Sequence, residues 1–260
     1  MGILNVTPDS FSDGGDFMDM GVAVAQSLVM AAEGAAIIDV GGESTRPGSS
    51  EVTAREELAR VLPALEAIRE VEPGVLLSID SYKAEVAHHA IAAGAVIIND
   101  VHGLQRDPEI ASVAARHKVP VVAMHWDKAR DAGKPLIDEM RRYFDRTLDI
   151  ASRAGIVRER LILDPGFGFG KTLTENYALL RALPELHTYG LPLLVGMSRK
   201  SMLGRLLDNE PRERLAGTIA TSVIAYLHGA QLFRVHDVAA NRDALRVAAA
   251  ALYGPPRTET

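Results

Sequence analysis

Short runs of Val, Ile and Leu recur eight times along the chain, and most of them stop at a side chain that does not belong in a core. They are Gly-Ile-Leu-Asn5, Ile-Ile-Asp39, Leu-Ser-Ile-Asp80, Ile-Ile-Asn99-Asp100, Val-Val-Ala-Met-His125, Leu-Ile-Leu-Asp164, Leu-Leu-Val-Gly196 and Phe-Arg234-Val-His236. A strand buried on both faces gains nothing from an ionisable group at its carboxyl end, because burying charge is costly. Repetition of that pattern points to a shared use of those ends. In a closed parallel barrel they meet on one rim, where active sites sit.

Segments with helical periodicity separate the runs, at 18–33, 55–71, 83–93, 108–116, 137–154, 176–187, 212–228 and 238–253. Strand and helix thus alternate along the whole chain. Successive strand ends lie about 20 to 40 residues apart, the length of a βα unit. Gly34, Gly94, Gly155, Gly190 and Gly229 each follow a helix and precede a strand, where a left-handed cap is expected. The expected fold is α/β, a single (β/α)8 TIM barrel over residues 1–260 with its site at the carboxyl rim. An open doubly wound sheet is the alternative; eight consecutive units close more naturally into a barrel.

Composition narrows the chemistry. With 260 residues and 47% hydrophobic content the chain can bury a full core. No apolar run approaches the ~18 to 20 residues of a membrane span, and no basic stretch leads an apolar one at the start, so a cytoplasmic protein is expected. The absence of cysteine excludes disulfides, thiolate zinc sites and cysteine nucleophiles. A net charge of -6 argues against nucleic acid as partner yet permits a local basic pocket for an anion.

The segments after strands are long and rich in Gly, Pro, Ser, Thr and charge, at 6–17, 41–53, 126–135 and 165–174, whereas the opposite connections are short. Asn5 stands at the base of a glycine- and aspartate-bearing loop, where its carboxamide oxygen suits a hard cation or an Asx turn. Asp80, Asn99 and Asp164 either line one floor of hydrogen-bond acceptors, facing the N–H edge of a flat nitrogen-rich ring, or each cap the following helix. Gly-Lys171-Thr172 mimics a phosphate loop, but Pro165 stands where the Walker pattern needs glycine. Lys200, Arg234 and His236 gather positive charge after strands seven and eight, where barrels hold phosphate. For Arg234 a second reading is open, pairing with a core carboxylate.

Taken together these segments resemble the bacterial dihydropteroate synthase family. The resemblance is carried by Met1-Gly-Ile-Leu-Asn-Val-Thr-Pro-Asp-Ser-Phe-Ser-Asp-Gly-Gly15, Ile38-Asp-Val-Gly-Gly-Glu-Ser-Thr-Arg-Pro-Gly48, Ile98-Asn-Asp100, Leu163-Asp-Pro-Gly-Phe-Gly-Phe-Gly-Lys171, Gly196-Met-Ser-Arg-Lys-Ser201 and Arg234-Val-His236. It implies condensation of 6-hydroxymethyl-7,8-dihydropterin diphosphate with 4-aminobenzoate, a requirement for Mg2+, a homodimer and membership of a family that is a sulfonamide target. It also implies a pterin pocket at Asp39, Asp80, Asn99, Asp164 and Lys200, with Asp80, Asp164, Lys200, Arg234 and His236 catalytic. Asn5, Arg234 and His236 would bind diphosphate, Asn5 also contacting the metal, and Phe11, Thr45, Arg46, Pro47, Phe169 and Ser201 would form the aminobenzoate pocket. Two related readings are a pterin-dependent corrinoid methyltransferase barrel and a non-catalytic pterin-binding paralogue. Two departures from the family stand out. The chain begins at its first strand, where family members carry a short preceding segment, and after strand five a Met-His-Met-Gln-Gly type sequence gives way to Met124-His-Trp126-Asp-Lys-Ala-Arg.

Overall fold

The computed structural model describes residues 1–7, 16–45 and 49–255, and Phe11, Arg46 and Pro47 lie outside them. Six strands, β1 (Gly2–Asn5), β2 (Ile37–Gly41), β3 (Leu76–Asp80), β4 (Ile97–Asp100), β5 (Val121–Met124) and β6 (Leu161–Asp164), pair in chain order. Every pairing is parallel. Strands β7 (Leu194–Val195) and β8 (Leu232–Phe233) pair with each other. Single parallel bridges complete the ring: Leu163 with Leu193 joins β6 to β7, and Gly2 with Val235 joins β8 to β1. At the second seam Val235 N donates to Met1 O and Ile3 N to Val235 O, both at 3.0 Å. The chain is the expected eight-stranded closed barrel.

Nine α-helices appear among the described residues: α1 (Asp16–Ala32), α2 (Ala54–Val71), α3 (Ala84–Ala92), α4 (Ile110–His117), α5 (Leu136–Ala154), α6 (Leu173–Ala182), α7 (Ser201–Leu207), α8 (Leu215–Leu227) and α9 (Val238–Tyr253). Reciprocal capping boxes start α2 at Thr53 with Glu56 and α6 at Thr172 with Glu175. The five expected cap glycines all take positive φ. Two segments differ from the sequence reading. The helix read at 176–187 starts three residues earlier, at its Thr172 cap, and tightens into a 3-10 helix over Leu183–Tyr189, where Pro184 lacks the N–H an α-turn needs. Helix α7 was not expected, since seven residues are too few to show a period.

Strand alternation sends one side chain outward and the next inward. Ile38, Leu77, Ile98, Val121 and Val195 pack against the helices in the main core. Pointing inward near the amino ends, Ile37, Ile97, Val122, Ile162, Leu194 and Leu232 join Met1 in a separate apolar cluster that plugs the barrel. The buried members, Ile97, Val122 and Leu194, each stabilise the fold by ~1.5–3 kcal/mol, and the half-buried ones by less. Two residues further along, the inward positions become Asp39, Asn99, Asp164 and Arg234 on four of these strands, and Met124 and Gly196 on the other two.

Candidate active site

Parallel register brings the strand ends to one level. Asn5, Gly41 and Asp80 are neighbours across β1, β2 and β3, and Asp80 pairs with Asn99 on β4. Arg234 reaches across this floor: Nε donates to Asp39 Oδ2 and Nη2 to Asp80 Oδ2, each at 2.6 Å. Asn99 Nδ2 donates to the same Asp39 oxygen at 2.9 Å. Asp39 is 0% exposed and Asn99 3%. The other Asp39 oxygen, Oδ1, is buried with no partner. Burial pushes Asp80 up to about 7, with Arg234 opposing and the Asp39 charge adding to the rise. Burial also opposes charge on Arg234, yet Asp39 and Asp80 hold it above its ordinary value. Of the two readings open for Arg234, the carboxylate pairing is the one realised in this floor.

Facing that floor is the wall made by β6 and the loop after it. Asp164, 6% exposed, accepts from Gly166 N at 2.7 Å. Burial raises its pKa, opposed by Lys200. Lys200 Nζ donates to Phe167 O and lies 4.3 Å from the centre of the Phe169 ring. Burial lowers this amine to about 8, with Asp164 holding it up. Glycine is required in this loop: a Cβ on Gly166 (φ +70) would stand 2.1 Å from His125 O, and one on Gly168 (φ +81) 3.0 Å from Lys200 Cδ. Lys171 turns away from the rim, giving its amine to Gly166 O at 2.8 Å and Phe169 O at 3.1 Å, beside His125 Nδ1 at 3.1 Å. Its Gly-Lys-Thr context therefore serves the loop, as the missing Walker glycine implies.

His236 closes the ring of sites. Its Nδ1 lies 3.0 Å from Ser198 Oγ, and its backbone N donates to the same hydroxyl at 3.2 Å. Next to Lys200, Arg199 adopts φ 58 and its guanidinium engages both oxygens of Asp237, Nε to Oδ2 at 3.0 Å and Nη2 to Oδ1 at 2.5 Å. Asn5 Oδ1 and Asp80 Oδ2 approach the place a Gly41 Cβ would fill, at 3.8 and 3.5 Å. Among the described residues no group of three or more His, Asp or Glu has metal-site spacing. A hard cation would fit here only with one or two protein oxygens, the rest coming from water and a phosphate ligand, which is how Mg2+ is ordinarily held.

A barrel that gathers buried acceptors beside an arginine and a lysine can seat a flat, donor-edged ring next to an anion. Residues 1–236 match the pterin binding enzymes. The chain belongs to the pterin-binding enzyme family. A dihydropteroate synthase of Synechocystis sp. is 48% identical over 256 residues, covering 95% of this chain and 88% of the relative. The structure of a dihydropteroate synthase from Clostridium difficile in the presence of pteroic acid matches with a TM-score of 0.94 and 45% identity, covering 97% of this chain and 95% of that one. A dihydropteroate synthase from Xanthomonas albilineans with 4-aminobenzoic acid matches with a TM-score of 0.93 and 46% identity, covering 98% and 93%.

Within this pterin-binding enzyme the site residues read from sequence fall into connected groups. Asp39, Asp80, Asn99 and Arg234 share hydrogen bonds. Asp164, Lys200 and Phe169 form the adjoining wall, and the charges of Asp80 and Arg234 are felt at Lys200. Asn5 borders the first group through Gly41. Thr45 is half-buried at the edge of the described segment, and Ser201 is exposed as the first residue of α7. Sequence reasoning missed Ser198, the Arg199–Asp237 pair, and Lys83, whose amine bridges Glu43 and Glu57. Glu43 lies in the Gly-Gly-Glu-Ser-Thr45 segment, so this bridge tethers that segment to the start of α3. All three depend on partners distant in sequence, and no local pattern announces them.

Proposed function

We propose that this rim condenses 6-hydroxymethyl-7,8-dihydropterin diphosphate with 4-aminobenzoate, releasing 7,8-dihydropteroate and diphosphate. The observation that carries the reading is the acceptor floor itself. Asp39, Asp80, Asn99 and Asp164 are held inside the barrel with one carboxylate oxygen wholly unpartnered, an arrangement that costs stability unless a ligand supplies donors. A pterin has those donors on its pyrimidine edge.

In this reading the C–O bond to diphosphate breaks first, its electron pair leaving with the diphosphate. The aniline nitrogen then supplies the pair for the new C–N bond, and its proton passes to solvent. Asp80 and Asp164 stabilise positive charge developing on the pterin, and Lys200 stands against the ring edge. Two of the five guanidinium N–H donors of Arg234 are engaged with Asp39 and Asp80, leaving others for the leaving group beside His236. Mg2+, held through Asn5, would neutralise charge on the departing diphosphate. Phe169, Thr45 and Ser201, with Phe11, Arg46 and Pro47, hold the arylamine in line and exclude water. No side chain need act as nucleophile.

The same reading expects a cytoplasmic homodimer. It is supported by exposed Leu206, Leu207, Leu215, Ile224 and Leu227 on α7 and α8, and by the lack, among the described residues, of any helix long and apolar enough to cross a membrane. Diphosphate release from the pterin substrate, measured with and without 4-aminobenzoate, tests the function. Release that ignores the arylamine, or none with both present, overturns it. Mg2+ should bind the free protein hardly at all at millimolar concentration and strongly once diphosphate is added, because Asn5 alone is too poor a ligand set. A sulfonamide, as an arylamine mimic, should bind more tightly when pterin and diphosphate are already present.

A further inference from the structure

Loop 126–135 departs from the family pattern and holds no residue assigned to the reaction, yet it is fastened at both ends. The His102 ring stacks on the Trp126 indole at 4.7 Å and 10°, and Lys128 Nζ lies over the same indole at 4.7 Å. The imidazole and the ammonium thus both lie against the indole and hold it in place. Against it rests Phe169, with centroids 5.0 Å apart and planes at 58°. Phe169 in turn carries the Lys200 ammonium 4.3 Å from its centre. Trp126 therefore reaches the Lys200 wall through Phe169.

Arg130 repeats the connection on the backbone. Its Nη2 donates to Gly170 O at 3.2 Å and to Glu175 Oε1 at 2.6 Å, while its Nη1 is buried without a partner. Behind it, Asp127 pairs with Arg142, and Glu139 Oε2 accepts from Asp131 N at 3.1 Å. Helix α5 is thereby linked through loop 126–135 to the glycine-rich loop 165–172. Glycines at 166, 168 and 170 make that second loop conformationally permissive, so an outside support has a purpose.

We propose that Trp126 is a positioning residue for the arylamine side of the site, setting the Phe169 ring against Lys200. This rests on the function proposed above, and the test separates the two. Amides of Gly166, Gly168 and Phe169 are bonded to Asp164 Oδ1, Asn176 Oδ1 and Gly166 O, so their hydrogen exchange reports how firmly the wall is held. Trp126→Ala should speed that exchange and raise KM for 4-aminobenzoate by about three- to tenfold, the range an aromatic edge contact supplies. Values of kcat and KM for the pterin substrate should stay within about twofold of wild type, on the same scale. Trp126→Phe, which keeps a ring edge, should restore both quantities. Unchanged exchange in Trp126→Ala, faster exchange with unchanged KM, or no rescue by Trp126→Phe each overturns the proposal. A wild-type protein that turns over no substrate while Trp126→Ala still loosens the wall would overturn the proposed function and leave the Trp126 support of Phe169 standing.

Discussion

Ile37 and Asp39 point into the same barrel from the same strand, as do Ile97 and Asn99, Ile162 and Asp164, and Leu232 and Arg234. Two residues of strand separate each pair, a rise of roughly 6.6 Å. In the lower layer seven apolar side chains satisfy one another by contact alone. The upper layer cannot be satisfied that way. Arg234 and Asn99 converge on one oxygen of Asp39, and the other oxygen has no partner. One layer is finished by the chain itself, whereas the other is a polar constellation whose remaining valences suit a ligand. The difference explains why the barrel can afford an ionised interior: plug and site occupy separate levels.

The strongest challenge to that contrast is Arg234→Met. It leaves Asp39 and Asp80 buried without their cation, and breaking a buried pair costs about 3–5 kcal/mol. Turnover should fall by about 10²- to 10³-fold, as when a preorganised charge is removed. Urea denaturation together with diphosphate release checks both, and the stability loss should shrink at acid pH as the carboxyls take up protons. Near-native stability and activity in this variant would erase the distinction between the layers.

Asp80→Asn and Asp164→Asn come next. Each replaces a carboxylate acceptor by an amide of the same shape, so pterin affinity should drop by about 1–3 kcal/mol while the fold survives. Calorimetry with pterin decides it, wild-type affinity in either variant sinking the floor assignment. Asp80 also carries a pH signature. Its folded value of about 7 lies above the ordinary 3.8, so its stabilising contribution is full below about 4 and is lost as pH rises to about 7. Asp80→Asn should remove that slope from the stability profile.

How much of this was legible beforehand differs between the layers. The strand ends were readable because Asp39, Asp80, Asn99 and Asp164 each interrupt an apolar run. The plug was not, since Ile37 beside Ile38 or Ile97 beside Ile98 shows no alternation when inward and outward faces are both apolar. Strands β7 and β8 are two residues long, yet the run ending at Gly196 and the polar end Arg234-Val-His236 still marked them. The choice between diphosphate and carboxylate as partner of Arg234 needed the barrel to close, because Asp39 and Asp80 meet it across the β8 to β1 seam. Trp126 was visible as a departure, but nothing local pairs it with Phe169 and His102.

A smaller effect concerns Lys200. Burial lowers its amine to about 8, so kcat/KM for the pterin substrate should decline as pH rises through about 8 and that charge is lost. Lys200→Arg stays charged across the range and should flatten the decline even if it lowers the plateau. An alkaline limb identical in that variant would assign the limb to another group.

The least disruptive change tests independence from below. Ile162→Val removes one methylene from the plug, directly beneath Asp164 on β6. Such a truncation costs about 0.5–1.5 kcal/mol, by lost burial and a small cavity. Asp164 is held by the Gly166 amide and flanked by Lys200, neither of which belongs to the plug cluster, so its position should survive. Denaturation should therefore register the loss, while kcat/KM stays within about twofold, the scale of effects below 0.5 kcal/mol. A fall in kcat/KM larger than the stability loss would mean that plug and rim share strain along the strand. In that case the lower layer is part of what aims the carboxylate, and the separation of levels holds only for the groups tied to Arg234.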